Sequence, residues 1–219
     1  MTNEQSFDWS PMSETFKTAA EGASDVSAER SREMRRVIVT EFMTLDGVIE
    51  EPQNWSFPYW GDDTAAFKNA ELFGDDAMPG SDTMLLGRVT YEGFAEAWPG
   101  RKGADPFSTR FNEVEKVVVS NTLKDATWEN SHVLKGDLVG GVNELKARDG
   151  GDIYVHGSKT LVKSLADARL IDRYHLIVYP IVLGEGLKLF DEGMAAKLRL
   201  VEAKPFASGA VALIYEPDE

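Results

Sequence analysis

Cysteine is absent from all 219 residues. That excludes disulfides, thiolate zinc sites and a cysteine nucleophile, and it suits a reducing, cytoplasmic setting. Histidine is nearly as scarce: His132, His156 and His175 are scattered along the chain, so no metal site is expected. No apolar run approaches the ~20 residues a membrane helix needs, and the N-terminus has no signal-peptide core. Positive charge is also short. With 37 acidic against 23 basic residues, the net charge of -14 repels nucleic acid and anionic membranes. An anionic ligand must therefore be gathered by a local positive patch.

Hydrophobic residues make up 42% of the chain, enough for one domain with a full-sized core plus an appendage, and too little for a second catalytic domain. The appendage is residues 1–33, where seven acids face three bases amid Ser, Thr and Ala. Such a segment buries too little apolar surface to offset its ordering entropy, so a flexible acidic extension is expected. Phe7, Trp9, Met12 and Phe16 are its apolar exceptions, a possible face for docking. Residues 34–219 form the folded domain.

The search for positive charge leads to Met84-Leu85-Leu86-Gly87-Arg88-Val89-Thr90-Tyr91-Glu92. A short apolar strand meets a glycine, and helix-compatible residues follow at once. A cation in the first turn of a helix is disfavoured by about 0.3 to 1 kcal/mol unless an anion lies between it and the helix dipole. Gly87, the Thr90 hydroxyl and the free N–H groups of that turn together make a phosphate seat. A surface pair between Arg88 and Glu92, one turn on, explains the same spacing.

The rest of the domain alternates strand and helix. Arg36 to Phe42, Lys116 to Val119, His132 to Leu134 and Asp152 to His156 read as strands, with helices after Gly61, after Gly87, from Leu138 to Ala147 and after Gly157-Ser158. Arg173 to Leu183 reads as a long strand broken by Pro180, near an edge or a bulge. Leu198 to Lys204 and Ala210 to Glu216 form a closing hairpin. Asp62 or Asp63 is able to cap the first helix. The aromatic loop Glu51 to Trp60 serves as a lid on the core or as a pocket wall. Gly184-Glu185-Gly186 lacks the third glycine of a dinucleotide fingerprint, so an ordinary Rossmann domain is rejected.

Gly87-Arg88-x-Thr90-Tyr91-Glu92 resembles the NADPH phosphate-binding segment of dihydrofolate reductases, and Gly151 to Leu161 is similar to that fold's second glycine turn. Leu170 to Leu176 and Pro180 to Gly186 resemble the reductase domain of riboflavin-biosynthesis proteins and its stand-alone relatives. The resemblance runs from about Arg35 to the C-terminus. It implies a three-layer α/β/α fold, a mainly parallel sheet with an antiparallel C-terminal hairpin, and ligands at the carboxyl ends of the strands. It implies NADPH as cofactor, held by Gly87, Arg88, Thr90, Tyr91, Ser120, Asn121, Gly157, Ser158, Thr160 and Leu161. Arg88 is placed to pair with the additional phosphate. Those enzymes carry Gly-Gly, often joined by a cis peptide, where this chain has Gly157-Ser158, a change that keeps the first glycine and adds a hydroxyl.

The shared Ala-x-Phe-Lys register sets Asp63 on the family's substrate-binding carboxylate, able to anchor the substrate and deliver a proton. A plain N-cap aspartate explains it too. His156, at a strand end, is its deputy, with a structural role as the alternative. The expected activity is hydride transfer from NADPH to a pterin-like, pyrimidine-like or imine substrate, by a homodimer such as relatives often form. A riboflavin-type zinc deaminase would need a His/Cys cluster that this chain cannot furnish. The rival is a non-catalytic nucleotide-binding module that engages a partner through residues 1–33.

Overall fold

The computed structural model describes residues 34–190 and 194–218. The acidic stretch 1–33, with its aromatic face, lies outside the described residues. In chain order the elements are β1 (Val37–Thr44), α1 (Asp62–Phe73), β2 (Ser81–Gly87), α2 (Arg88–Ala97), α3 (Pro106–Glu113), β3 (Glu115–Val119) and β4 (Ser131–Leu134). Then follow α4 (Leu138–Lys146), β5 (Asp152–Val155), α5 (Lys159–Asp167), β6 (Arg173–Tyr179), β7 (Leu198–Pro205) and β8 (Val211–Pro217). One sheet runs in the order β4-β3-β2-β5-β1-β6-β8-β7. Its first six strands are parallel, and β8 pairs antiparallel with both β6 and β7.

Side-chain alternation along the strands builds two cores. On one face Val39, Leu85, Val117 and Val155 meet Val142 and Leu145 of α4 and Leu161, Val162 and Leu165 of α5. On the other, Met84, Leu86 and Val118 meet Leu72 of α1, Tyr91 of α2 and Phe107 and Phe111 of α3. Helices thus cover both faces, giving the expected three layers with the expected C-terminal hairpin.

Two local readings need correction. β6 ends at Tyr179 and lies inside the sheet between β1 and β8, neither at an edge nor continuing to Leu183. Pro180 has no N–H to give a ladder, so the chain leaves the sheet there. The departing loop is sewn to the turn after β1: Leu45 N–H donates to the Ile181 carbonyl, and Asp46 accepts from the Leu183 and Gly184 amides. Helix α1 is capped by Gly61, whose extended backbone directs its carbonyl to Ala65 N–H. Asp62 and Asp63 fall inside the first turn, where their charge complements the helix dipole.

Candidate functional site

The carboxyl ends of β2 and β5, adjacent in the sheet, each run into a helix through a glycine. Gly87 N–H donates to the Gly157 carbonyl at 3.1 Å, so the two junctions touch. A methyl group on Gly87 would press into Ser158 Oγ and stand 3.0 Å from Ser158 N. Gly157 adopts φ +82, and a methyl there would lie 3.2 Å from Thr90 Oγ1 and 3.3 Å from Glu41 Oε1. Only glycine allows both approaches. The Gly157–Ser158 peptide is cis, the isomer that often joins the Gly-Gly pair of the resembled enzymes.

These contacts bring the first turns of α2 and α5, whose N–H groups have no partner within their own helix, to one crevice. Arg88 is the first residue of α2 and Ser158 the N-cap of α5; neither the Gly87 nor the Ser158 cap makes a side-chain hydrogen bond. Arg88 is exposed, and its Nη1 donates to Glu92 at 2.6 Å. Exposed pairs of this spacing contribute only about 0.3–0.5 kcal/mol, so the guanidinium is easily transferred to a phosphate.

The other expected cofactor residues divide. Thr90 faces Gly157 across the crevice. Ser120 and Asn121 follow β3 at the same end of the sheet. There Ser120 Oγ accepts from Leu123 N–H at 2.9 Å, and Asn121 Oδ1 accepts from Gly136 N–H at 3.0 Å. Thr160 is exposed on the first turn of α5. The side chains of Tyr91 and Leu161 belong to the core. Tyr91 is 3% exposed and its hydroxyl accepts from Trp128 N–H, and Leu161 is buried against β1, β2 and β5.

On the α1/α3 side of the sheet lies a polar network between apolar layers. Glu71 accepts from Thr40 Oγ1 at 2.9 Å and from His175 Nδ1 at 2.9 Å, and it is ion-paired with Lys68. Burial alone would raise its pKa, but Lys68 and His175 outweigh burial and hold it at about 2. A cavity with room for about one water is bounded by Lys68, Glu71, Phe111, Tyr154 and His156. His156 is half-buried, with its ring edge-on to Phe94 and Phe111. Desolvation depresses its pKa to about 3, which keeps the imidazole neutral at physiological pH.

Asp63 does not line that cavity. Its Oδ2 accepts from Ala207 N–H at 2.8 Å, in the turn between β7 and β8. Of the two expected proton-handling residues, only His156 borders the cavity. The aromatic loop folds over the core, where Trp55, Tyr59 and Phe42 each pack against Tyr179. Among the described residues no cluster of side chains suits a metal ion, and no helix is long and apolar enough to cross a membrane.

One acid escaped the reading of the sequence. Glu41 projects from β1 beside Gly157, and its Oε1 is shielded with no hydrogen-bond partner among the described residues. A carboxylate within the run Val37 to Thr44 is itself a signal, since a charge in a buried strand is rare without a task.

A model of the RibD C-terminal domain matches residues 35–212 of the chain. The uncharacterized protein YyaP of Bacillus subtilis (strain 168) is 29% identical over 191 residues, covering 83% of this chain and 94% of that one. A putative riboflavin biosynthesis protein from Shewanella sp. PV-4 has a similar structure, with TM-score 0.65 and 19% identity over 84% of this chain and 99% of that one. Dihydrofolate reductase from Enterococcus faecalis, solved with NADP(H) and RAB-propyl, has TM-score 0.56 and 17% identity over 84% of this chain and 97% of that one.

Proposed function

The chain belongs to the RibD C-terminal domain family, and from that premise we propose that it is an NADPH-dependent reductase of a small heterocyclic or imine-bearing substrate. The observation that carries this is the contact of two helix starts across Gly87 and Gly157. In a chain of net charge -14, it concentrates N–H donors and one arginine at one end of the sheet.

The residues present fit the dinucleotide. Gly87 and Gly157 let the two helix starts meet, the first turns of α2 and α5 with the Thr90 and Ser158 hydroxyls supply donors to a pyrophosphate, and Arg88 reaches the additional phosphate. Ser120 and Asn121, one strand further out, suit the adenosine end. When bound, the nicotinamide supplies the hydride. The protein contributes alignment and exclusion of water. His156, neutral at pH 7, offers a hydrogen bond to a substrate carbonyl or ring nitrogen. Asp63 is the rim candidate: Ala207 occupies one carboxylate oxygen, and the other is available to a pterin- or pyrimidine-like N–H. The family and the lack of cysteine agree with a cytoplasmic enzyme.

The test is titration with NADPH and NADH while following tryptophan fluorescence, then oxidation at 340 nm with dihydrofolate and a panel of pyrimidines. Arg88→Ala is expected to weaken NADPH by roughly ten- to a hundredfold, the scale of a charged hydrogen bond of about 1.5–3 kcal/mol, and to leave NADH nearly unchanged. Equal losses for both dinucleotides would remove the reason for preferring NADPH. Asp63→Asn keeps an acceptor for Ala207 and removes the charge; it is expected to lower turnover while sparing cofactor affinity. Unchanged turnover would restrict Asp63 to the hairpin.

A further inference from the structure

The order of strands places four features in a row along the carboxyl end of the sheet. Ser120 follows β3, Gly87 and Arg88 follow β2, Gly157 follows β5, and Glu41 lies on β1. Neighbouring strands are about 4.8 Å apart, so β1 stands roughly 10 Å from β2, on the side away from β3. A dinucleotide with its phosphates at the two helix starts and its adenosine 2′-phosphate on Arg88 therefore extends its other nucleoside toward β1. With the phosphates held at the two helix starts, the part of the ligand that reaches Glu41 is a ribose hydroxyl or the carboxamide. Each is a neutral group that can pair with a carboxyl as donor or acceptor.

We propose that Glu41 is the positioning residue for the nicotinamide riboside half of the cofactor, its carboxyl paired with a ribose hydroxyl or the carboxamide. This rests on the dinucleotide reading of the crevice and extends it to a residue outside the glycine junctions. Three observations carry it. Glu41 Oε1 is shielded and without a partner, which is costly for a buried polar atom unless a ligand satisfies it. It lies beside Gly157, 3.3 Å from where a side chain would start, so the lack of one leaves the carboxyl its place at the junction. Thr90 Oγ1 converges on the same point, joining Glu41 to the phosphate seat.

The charge state suits the task. Burial lifts the Glu41 pKa to about 8, against the opposing pull of Lys68 on α1. The other groups at its position are uncharged: Gly157 beyond the end of β5, Leu176 of β6 in register with it, and the Thr90 hydroxyl of α2. At neutral pH Glu41 is an acid that both donates and accepts, and it adds no negative charge beside a pyrophosphate. Above pH 8 it ionises, and affinity for the anionic dinucleotide falls.

The experiment compares NADPH with 2′,5′-ADP, which keeps the adenosine and its phosphates and lacks the nicotinamide riboside, by calorimetry at pH 7 and pH 9. Glu41→Ala is expected to weaken NADPH tenfold or more and to leave 2′,5′-ADP unchanged. Glu41→Gln, which keeps the shape and both hydrogen-bonding roles, should bind NADPH like the unmodified protein at pH 7 and lose the decline at pH 9. Equal losses for both ligands in Glu41→Ala, or intact NADPH affinity, would overturn the assignment while leaving the dinucleotide site standing. Failure of the unmodified protein to bind either ligand would overturn the site and the assignment together. Circular dichroism of both variants separates misfolding from lost contact, and Glu41→Gln alone decides the pH arm if Glu41→Ala does not fold.

Discussion

Glu71 shows how much a single side chain can govern in this fold. It is buried with Lys68 on one side and His175 on the other, and Thr40 bridges lysine and carboxylate by accepting from Lys68 at 2.9 Å and donating to Glu71. A buried ion pair adds little over an apolar replacement, but removing one partner strands the other charge. Glu71→Gln leaves the Lys68 ammonium desolvated and is expected to cost about 3–5 kcal/mol of unfolding free energy, measurable as a lower urea midpoint at unchanged slope. A loss under about 1 kcal/mol would mean that water reaches the ammonium and the network is looser than its hydrogen bonds imply. Ionised, Glu71 can only accept, so His175 must donate from Nδ1. The network therefore fixes the imidazole tautomer as well as the helix on the sheet.

At the level of elements, the crevice depends on two strand-to-helix junctions fitting against each other, and the glycines of α2 and its cap separate that requirement from helix propensity. Gly93 lies in α2, exposed, with open space where a side chain would begin. Gly93→Ala should stabilise by about 0.5–1 kcal/mol through propensity alone. Gly87→Ala, only six positions earlier, forces a methyl against Ser158 and should destabilise by about 1–3 kcal/mol while weakening NADPH. If thermal melts showed both substitutions stabilising, the junctions would not be in contact in solution. This geometry was legible in the sequence as far as Gly87, Arg88, Thr90 and Gly157, because a glycine between a strand and a helix leaves a local signature. The closing hairpin and the parallel strands were legible for the same reason, each being encoded over a few consecutive residues. Glu71 and His175 were not, since 104 positions separate them and only packing of α1 on β6 unites them. Pro180 misled through a rule that is correct for proline inside a strand; here the strand had already ended. Tyr91 was expected at the cofactor through its place beside Thr90, but the helical turn that presents Arg88 outward carries the Tyr91 side chain into the core beside Trp128.

Across the whole molecule, the shifted groups oppose one another in their effect on stability, and the balance fixes a pH profile. His156 in the folded state titrates near 3 against an ordinary 6.5. Between those values the unfolded chain binds the extra proton, so stability rises with pH. Glu71, held at about 2 against 4.5, has the same sign over that lower window, and Asp46, held at about 2 chiefly by the Thr44 hydroxyl, adds to it. Glu41 has the opposite sign. With its folded pKa near 8 against 4.5, its contribution is complete below 4.5 and is lost as the pH rises through 8. From about 4.5 to 6.5 the Glu41 and His156 slopes cancel, from 6.5 to 8 Glu41 dominates, and above 8 buried Lys116, its pKa lowered by desolvation to about 8 from 10.5, adds a slope of the opposite sign. The unliganded protein should therefore be most stable on a plateau between about pH 4.5 and 6.5, unfold more easily as acid is added below it, and weaken gradually above it to about pH 8. Glu41→Gln removes the alkaline arm and exposes the His156 slope, so its urea midpoint should still climb from pH 4.5 to 6.5 and then level to about pH 8. Saturating NADPH should lift the unmodified protein more at pH 7 than at pH 9, because the ionised carboxyl opposes the ligand it would otherwise hold. Midpoints of the unmodified protein and Glu41→Gln that ran parallel from pH 4.5 to 9 would mean that Glu41 titrates as an ordinary exposed acid, and both the plateau and its alkaline edge would need another cause.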